Sequence, residues 1–389
     1  MAKKKVNVGL VGYMFMGKAH SVGYRDCAFA FPEVKAEPVM KEICGLVQAD
    51  AEKYGKQYGW ERASEGYKHV VEADDIDMVD ISVGNDMHKE ICLAAAKNGK
   101  HIFCEKPMAM NVAECKEMIK AVEKAGVIAM IDFNYRRVPA VEWARQMVEK
   151  GMIGTPYHFR AVYLQDWIVD PEFPLVWRLQ KDKAGSGSHG DLNAHIIDMA
   201  RYLCGEFESV NGMMKTFIKK RPLVAKDAAP GLSKGKVSKE MGEVTVDDAT
   251  LFMAKFKNGA VGTFEATRFA TGNRNGNRFE INGSEGSIRF DVQNMNELEY
   301  YSRNDKDGYQ GWRTITVTEA MHPFLSGWWP AGHIIGWQHT FVHQVYTMMN
   351  GIATGKNPTP DFYDGMKCQA VLEAVEKSAE TEKWVKVTE

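Results

Sequence analysis

The sequence predicts an α/β domain with a doubly wound parallel sheet, followed by an α+β domain with a largely antiparallel open sheet and flanking helices. Three observations lead to this fold class. At 389 residues, the chain is longer than one typical domain. Its first third alternates apolar strand-like runs with helical segments, which is typical of parallel sheets. Its remainder carries long segments rich in aromatic and β-branched residues, which often alternate with polar ones.

The first domain begins with the apolar, β-branched run Val6–Gly12, which suits a strand buried on both faces. A helix is expected to start near Met16 or Gly17. Asn111 and Glu114 have the spacing of a capping box and predict another helix start. Further strands are predicted at Val39–Val47, Asp77–Gly84, His101–Pro107 and Val127–Asn134.

The second domain contains Asn258-Gly259, which is a strong hairpin signal between two strand-like runs. The stretch between Lys219 and Gly242 is rich in Lys, Gly, Pro and Ser, and its lack of periodicity predicts an exposed loop. Helices are expected at about Asp191–Cys204, Gly336–Ile352 and Asp364–Glu382.

Composition narrows the class of protein. With 45% hydrophobic residues, 26% charged residues and a net charge of -2, the chain resembles an ordinary globular protein, with no electrostatic case for nucleic acid or an anionic membrane as partner. No apolar run reaches the ~18 residues of a membrane span. The seven cysteines are scattered and form no C-x-x-C. They predict buried thiols in a reducing cytoplasm, without a disulfide framework or a metal site.

The stretch "GLVGYMFMGKAHS" nearly fits the G-x-G-x-x-G pattern of dinucleotide-binding loops. Gly12 and Gly17 hold the first and third positions, whereas Met14 stands where a second glycine normally gives the pyrophosphate room. The stretch follows the first strand and opens a helix, which is the context that the pattern requires. A plain strand–helix turn containing glycines is the alternative, and the loop alone leaves both readings open.

Polar motifs elsewhere favour the interpretation of this stretch as a cofactor-binding loop. Glu105-Lys106-Pro107 lies at the carboxyl end of a predicted strand, and Asn85-x-x-His88 ends the preceding one. "GSGSHGDLNAHIIDMARYL" places Asp191 and His195 four residues apart on one helix face. Alone, the lysine would be a surface residue and the Asp/His pair a helix-face pair. Their combination in this order is much more specific.

With Gly12–Gly17 and Asn134-Tyr135-Arg136, these motifs resemble the glucose-fructose oxidoreductase, inositol 2-dehydrogenase and rhizopine catabolism (GFO/IDH/MocA) family of NAD(P)-dependent oxidoreductases, nearly end to end. "FMGKAHS", "WRLQKDKAGSGSHGD" and "WWPAGHIIGW" are most similar to its levoglucosan and glucoside 3-dehydrogenase branch. The resemblance implies an NAD(P)-binding Rossmann domain over residues 1–133 and a substrate-binding and oligomerisation domain over residues 134–389.

The resemblance also implies a set of cofactor-binding residues. They are Gly12, Tyr13, Met14, Phe15, Met16, Gly17, Gln48, Asn85, His88, Glu105, Lys106 and Asn134. Two positions depart from the family pattern. Gly84 stands where many members have proline, and "ICGLVQAD" lacks the acidic residue that binds the adenosine ribose, for which Gln48 or Asp50 could substitute. No arginine stands there to bind the 2′-phosphate of NADP. We therefore expect NAD as the cofactor, with NADP as the alternative.

The resemblance assigns Lys106, Asp191 and His195 to catalysis. The reference pKa of histidine, ~6.5, suits proton transfer near neutrality, so we expect His195 to be the base. Lys106 is expected to orient the hydroxyl. Asp191 would either hold the imidazole tautomer or bind a second hydroxyl.

A neutral, polyhydroxylated substrate is expected, because aromatic rings stack on sugar faces while amides and carboxylates bind hydroxyls. Core packing is the alternative for each tryptophan. Predicted substrate-binding residues are Lys106, Tyr135, Tyr163, Gln165, Trp167, Trp177, Arg178, Asp191, His195 and His333.

Together with these residues, the resemblance implies an NAD-dependent dehydrogenase that oxidises a pyranose ring hydroxyl, at C3 of levoglucosan or a glucoside, to a ketone. An inositol dehydrogenase and a non-catalytic cofactor sensor are the alternatives. An exposed aromatic-rich sheet face further predicts a homo-oligomer of two, four or six copies.

Overall fold

The computed structural model describes residues 3–225 and 235–389. Its strands are β1 (Lys4–Val11), β2 (Ala36–Gly45), β3 (Arg62–Glu65), β4 (Met78–Ile81), β5 (His101–Glu105), β6 (Ala129–Asp132), β7 (Pro156–Leu164), β8 (Phe207–Lys215), β9 (Lys220–Val224), β10 (Val237–Glu243), β11 (Ala249–Phe256), β12 (Val261–Thr267), β13 (Gly276–Gly283), β14 (Gly286–Asp291), β15 (Glu297–Ser302), β16 (Arg313–Thr316) and β17 (Val385–Lys386).

The helices alternate with the strands in the first third of the chain and flank them afterwards. They are α1 (Phe15–Ala30), α2 (Gln48–Tyr58), α3 (Tyr67–Glu72), α4 (His88–Lys97), α5 (Val112–Ala125), α6 (Pro139–Glu149), α7 (Lys181–Ala184), α8 (Ala194–Leu203), α9 (His339–Thr354) and α10 (Phe362–Thr381). In the described part of the chain, no helix is both long and apolar enough to cross a membrane.

The chain divides into two compact units. One comprises the chain up to Val138 and the later segment Thr318–Lys367, which includes α9. The other comprises Pro139–Val317 and Cys368–Glu389. Each unit contains one of the two large sheets.

The first unit holds a six-stranded sheet in the order β3-β2-β1-β4-β5-β6. Every neighbouring pair is parallel, which confirms the predicted doubly wound sheet. The sheet is covered because its strands are apolar: Val8, Leu10 and Phe103 are buried in one cluster with side chains of α1 and α9. The capping box is also confirmed, since the Asn111 side chain accepts a hydrogen bond from the Glu114 N–H at the start of α5.

The second unit holds a nine-stranded sheet in the order β16-β15-β14-β13-β7-β12-β11-β8-β17. Its described pairs are antiparallel apart from β7 with β12, so the predicted largely antiparallel sheet is confirmed. Asn258-Gly259 turns the β11–β12 hairpin, with Gly259 at a φ of 89°. Side chains of β11 alternate between buried and exposed along the strand, so one sheet face is left open.

The predicted loop between Lys219 and Gly242 is wrong in part. β9 and β10 form a separate two-stranded antiparallel sheet there, and residues 226–234 lie outside the described part. The strands escaped prediction because β10 is mostly exposed and therefore lacks the alternating apolar pattern of a half-buried strand.

Candidate active site

Two glycines shape the loop between β1 and α1. Gly12 has a φ of 114°, and a Cβ there would clash with the carbonyl oxygen of Ser82. A Cβ on Gly17 would clash with the carbonyl of Gly12 itself. The first turn of α1 contains no acidic residue, so the N–H groups at its N-terminus remain electropositive. This loop fits the pyrophosphate of a dinucleotide.

The side chains between the two glycines stand away from the loop backbone. Met14 is the N-cap of α1 and is 46% exposed. Phe15 is half exposed and stacks on Trp337, with ring centroids 5.5 Å apart. Tyr13 is buried and stacks on Tyr54 at 5.3 Å. Met14 therefore occupies the second glycine position without filling the loop, and Met16 is partly buried inside α1.

The turn after β2 presents apolar side chains at the surface. Leu46 and Val47 are exposed. Gln48 starts α2, where its amide donates to the Glu52 carboxylate at 2.8 Å. Burial, and next the charge of Asp50, raise the pKa of Tyr13, so Asp50 puts negative charge near the start of α2. Such charge disfavours a 2′-phosphate.

Two polar contacts, from Glu105 and from His88, hold the turn that carries Lys106. The Glu105 carboxylate accepts the backbone N–H of Lys106 at 2.9 Å. His88 is fully buried at the start of α4, with Nδ1 2.9 Å from the carbonyl oxygen of Pro107, and burial lowers its pKa. Asn85 lies in the single 3₁₀ turn before α4 and, like Lys106, is partly buried. The structure thus gives His88 and Glu105 a supporting contact to this turn.

A buried ionic cluster, which the sequence did not reveal, lies behind Glu105. Nδ1 of His20 lies 2.8 Å from Oδ2 of Asp80, and Nε2 lies 3.1 Å from Oε1 of Glu105. Oδ2 of Asp132 lies 3.0 Å from Nε2, but it is out of line for a hydrogen bond. Phe103 and Phe341 enclose the ring.

The cluster is best described as a protonated imidazole between carboxylates. His20, Glu105 and Asp132 offer ligand atoms within 4.8 Å of one another, a spacing that can hold a metal ion. Hydrogen bonds at both ring nitrogens account for the same geometry without an ion. Burial alone lowers the pKa of His20, but Asp80, Asp132 and Glu105 together raise it well above its ordinary value. Burial raises the pKa of Asp132 to about 6.

In the second unit, a π-helical turn at His189–Asn193 runs directly into α8. Asp191 lies in the π-helical turn and His195 in the first turn of α8, so the predicted single helix contains a π segment. Asp247 anchors the turn by accepting the N–H groups of Gly187 at 2.6 Å and His189 at 2.9 Å. π-Helical turns recur at functional sites because they redirect individual side chains.

The two predicted catalytic residues of this unit have different neighbours. The Asp191 carboxylate accepts a hydrogen bond at 2.7 Å from Arg268, which is almost fully buried. The ring of His195 lies beside Tyr163, with centroids 5.8 Å apart. Arg268 was not predicted from the sequence, since an arginine after a strand usually lies at the surface.

The other predicted substrate residues of this unit form two groups. Asn275, which was not predicted, accepts hydrogen bonds from the Tyr163 hydroxyl at 2.8 Å and from the Gln165 amide at 3.1 Å. Gln165 in turn accepts from the indole N–H of Trp167 at 2.8 Å. In the second group, the Arg178 guanidinium lies over the ring of Trp177 at 4.3 Å.

Three further predicted residues, Asn134, Tyr135 and His333, also belong to the first unit. Asn134 and Tyr135 are buried in a 3₁₀ turn after β6, and the Asn134 amide donates to Thr340 at 3.0 Å. His333 is exposed, and its Nδ1 lies 2.8 Å from the carbonyl oxygen of Pro330.

Two family models match the chain. The model of the oxidoreductase family with the NAD-binding Rossmann fold matches residues 6–133. The GFO/IDH/MocA C-terminal domain model matches residues 141–289. Both matches agree with the family that the motifs indicated.

Individual relatives match along the whole chain. A levoglucosan dehydrogenase of Pseudarthrobacter phenanthrenivorans is 42% identical over 386 residues, covering 99% of this chain and 98% of that protein. A solved structure of levoglucosan dehydrogenase in complex with NADH and levoglucosan is 41% identical, with a TM-score of 0.93, covering 99% of this chain and 100% of that one. A myo-inositol 2-dehydrogenase of Thermotoga maritima is 25% identical over 384 residues, covering 99% of each. The chain therefore belongs to the GFO/IDH/MocA family of oxidoreductases, whose N-terminal domain is an NAD-binding Rossmann fold.

Proposed function

We propose that this protein is an NAD-dependent dehydrogenase that oxidises a pyranose ring hydroxyl, at C3 of levoglucosan or of a glucoside, to the 3-keto sugar. The observation that carries the proposal is the full-length 42% identity to a levoglucosan dehydrogenase. A solved relative of that name at 41% identity was captured with NADH and levoglucosan. We further propose that residues 1–133 bind the cofactor, that residues 134–389 bind the sugar, and that the enzyme works in the cytoplasm.

The chemistry follows from the residue types. NAD held at the loop between Gly12 and Gly17 would supply the acceptor for the hydride of the carbinol carbon. His195 takes the hydroxyl proton, because a neutral imidazole is available near pH 7. Lys106 donates a hydrogen bond to the same oxygen and orients it. The products are the ketone, NADH and a proton, so atoms and electrons balance.

The supporting contacts agree with these roles. Glu105 and His88 fix the turn of Lys106 through its backbone N–H and through the Pro107 carbonyl. Tyr163 near the end of β7 and Gln165 just after it both donate to Asn275, which precedes β13, and this gives the region a network of amide and hydroxyl groups suited to a neutral polyol. No phosphate on the substrate is needed for these contacts.

An inositol dehydrogenase is the second candidate, because a myo-inositol 2-dehydrogenase matches 99% of the chain. The deciding experiment measures NADH absorbance with NAD and a panel of levoglucosan, methyl glucosides, myo-inositol and scyllo-inositol. We expect the highest kcat/KM for a pyranoside. A higher kcat/KM for an inositol would select the second candidate.

The same panel tests the non-catalytic alternative. If NADH copurifies with the protein, the assay is run in reverse with a keto sugar as acceptor. Tight NAD binding in a titration, with no turnover in either direction, would contradict the enzymatic proposal and support a cofactor sensor.

A further inference from the structure

We infer that Arg268 is a positioning residue that fixes the Asp191 carboxylate as the acceptor for a second substrate hydroxyl, next to the one that is oxidised. The inference rests on the proposed function. It also selects one of the two roles that the sequence left open for Asp191. Arg268 directly follows β12, and its Nη2 lies 2.7 Å from Oδ2 of Asp191.

The surroundings of Arg268 are those of a built-in anchor. Its side chain is 1% exposed. Besides Asp191, it donates to the carbonyl of Gly187 at 3.2 Å and to that of Arg178 at 3.4 Å. Its guanidinium also lies over the ring of Trp167 at 5.3 Å. One side chain thus ties together three segments that contain predicted substrate residues.

A buried ion pair is a weak contributor to stability, because desolvation offsets much of the attraction. An apolar side chain at position 268 could fill the same space. The specific effect of Arg268 is to fix one carboxylate oxygen of Asp191 in place. That fixes the orientation of the whole carboxylate, whose side chain is still 31% exposed. A hydroxyl can therefore reach an acceptor whose direction is already set.

The pairing also separates the roles of Asp191 and His195. A carboxylate bound to a guanidinium stays ionised and can only accept hydrogen bonds. It is therefore unsuited to carry the substrate proton, which is left to His195. Loss of Arg268 should weaken sugar binding more than it slows the chemical step.

The experiment compares Arg268→Met, Arg268→Lys, Asp191→Asn and the double variant Asp191→Asn/Arg268→Met. We expect Arg268→Met to raise the sugar KM by roughly 10- to 100-fold, the range for a lost hydrogen bond to a charged group. The pH midpoint of kcat and the Kd for NAD should stay unchanged. Arg268→Lys should raise the sugar KM less than Arg268→Met does. The double variant should be no worse than the more severe single variant, because both remove one interaction.

Arg201→Met is the matched control. Arg201 is a similarly buried arginine of the same unit, 3% exposed, and it pairs with the 36% exposed carboxylate of Glu206 at 2.9 Å. Its loss should lower the melting temperature without raising the sugar KM. An equal KM increase in both variants would mean that any broken buried ion pair has this effect, and would overturn the inference.

Other outcomes also decide the question. A loss of kcat at unchanged KM, or fully multiplicative effects in the double variant, would contradict a positioning role. If Arg268→Met fails to fold, Arg268→Lys decides, since it must raise KM while preserving the pH midpoint. A wild-type enzyme that oxidises no sugar overturns the proposed function. An active wild type with an unchanged KM in the variants overturns only this inference.

Discussion

The imidazole of His20 and the carboxylate of Asp80 form a fully buried ion pair, with Nδ1 2.8 Å from Oδ2. The other ring nitrogen of His20 faces Glu105, whose carboxylate also accepts the N–H of Lys106. His20 is thus one contact removed from the predicted catalytic lysine. Its charge also offsets three buried carboxylates, those of Asp80, Glu105 and Asp132.

His20→Gln should therefore destabilise the protein strongly. Removing one partner of a buried ion pair leaves the other charges uncompensated, which typically costs about 3–5 kcal/mol in the free energy of unfolding. Urea denaturation measures the change. His69→Gln is the control, since His69 is 73% exposed and Glu42, 3.5 Å from its Nδ1, keeps Arg62 as a partner at 2.6 Å. The free energy of unfolding should therefore change by no more than about 0.5 kcal/mol. A melting temperature that falls with EDTA would instead indicate a metal ion in this cluster.

The same cluster predicts how stability depends on pH. The folded pKa of His20 is raised well above 6.5, so its stabilisation is complete below about pH 6.5 and is lost as the pH rises through the folded value. Asp132 has a folded pKa raised to about 6 from 3.8. The folded state thus binds more protons than the unfolded state between these values, and stability again falls with rising pH.

Asp132→Asn separates the two contributions to this pH dependence. In the variant, the decline in the free energy of unfolding between about pH 4 and 6 should disappear. The decline at higher pH should remain, but at a lower pH than in the wild type, because His20 has lost one neighbouring anion. Denaturation of both proteins at a series of pH values gives the comparison. A stability contribution of the cluster that increases with pH would contradict a protonated His20.

Cofactor preference follows from the turn after β2. Leu46 is 87% exposed there, and Gly45–Gln48 contains no cation for a 2′-phosphate. We expect a lower Kd for NAD than for NADP. Leu46→Arg should reduce the difference between the two Kd values, whereas Leu46→Gln should leave that difference unchanged. Fluorescence titration with both cofactors provides the test, and tighter binding of NADP by the wild type would refute the prediction.

The open face of the nine-stranded sheet predicts self-association. This face is not aromatic-rich as expected, because Phe252 and Phe264 point to the opposite face of the sheet and are buried. It instead exposes aliphatic and methionine side chains on β8, β11 and β12, each at least 39% exposed: Met213, Leu251, Met253 and Val261. A large apolar patch of this kind usually marks an interface. Light scattering at micromolar concentration should give the mass of two, four or six chains. Met253→Glu should reduce it, and Tyr309→Glu, which changes a 76% exposed side chain on the β15–β16 connection, should not. A monomeric wild type would rule the interface out.

Local signals in the sequence predicted much of the fold. Gly12 and Gly17 were expected in a tight loop because only glycine tolerates the close backbone approach, and the structure shows those clashes directly. The hairpin signal of Asn258-Gly259 and the capping box that starts at Asn111 likewise depend only on residues close together in the sequence. By contrast, the partners of His20 lie 60 and 85 residues away along the chain. A histidine in a helix gives no sign of partners at such distances.

The candidate site was predictable in its residue types but not in its supporting contacts. The spacing of Asp191 and His195 suggested an ordinary helix face, because hydrophobic periodicity does not reveal a π-helical turn. Arg268 and Asn275 follow or precede strands as exposed polar residues usually do. Only packing shows that one is buried against Asp191 and that the other accepts from Tyr163.

His195→Ala tests the assignment of the base. Loss of a general base typically lowers turnover by 10²–10⁴-fold, or roughly 3–5 kcal/mol of transition-state stabilisation. NAD affinity should stay nearly unchanged, because His195 and the glycine loop belong to different units. Lys106→Ala should lower turnover as well. His69→Ala, at an exposed position of α3, should keep full activity. The measurement is kcat at saturating sugar across pH. If His195 is the base, the pH profile of the wild type should be altered in His195→Ala. A His195→Ala enzyme with full activity and an unaltered pH profile would show that α8 does not carry the base.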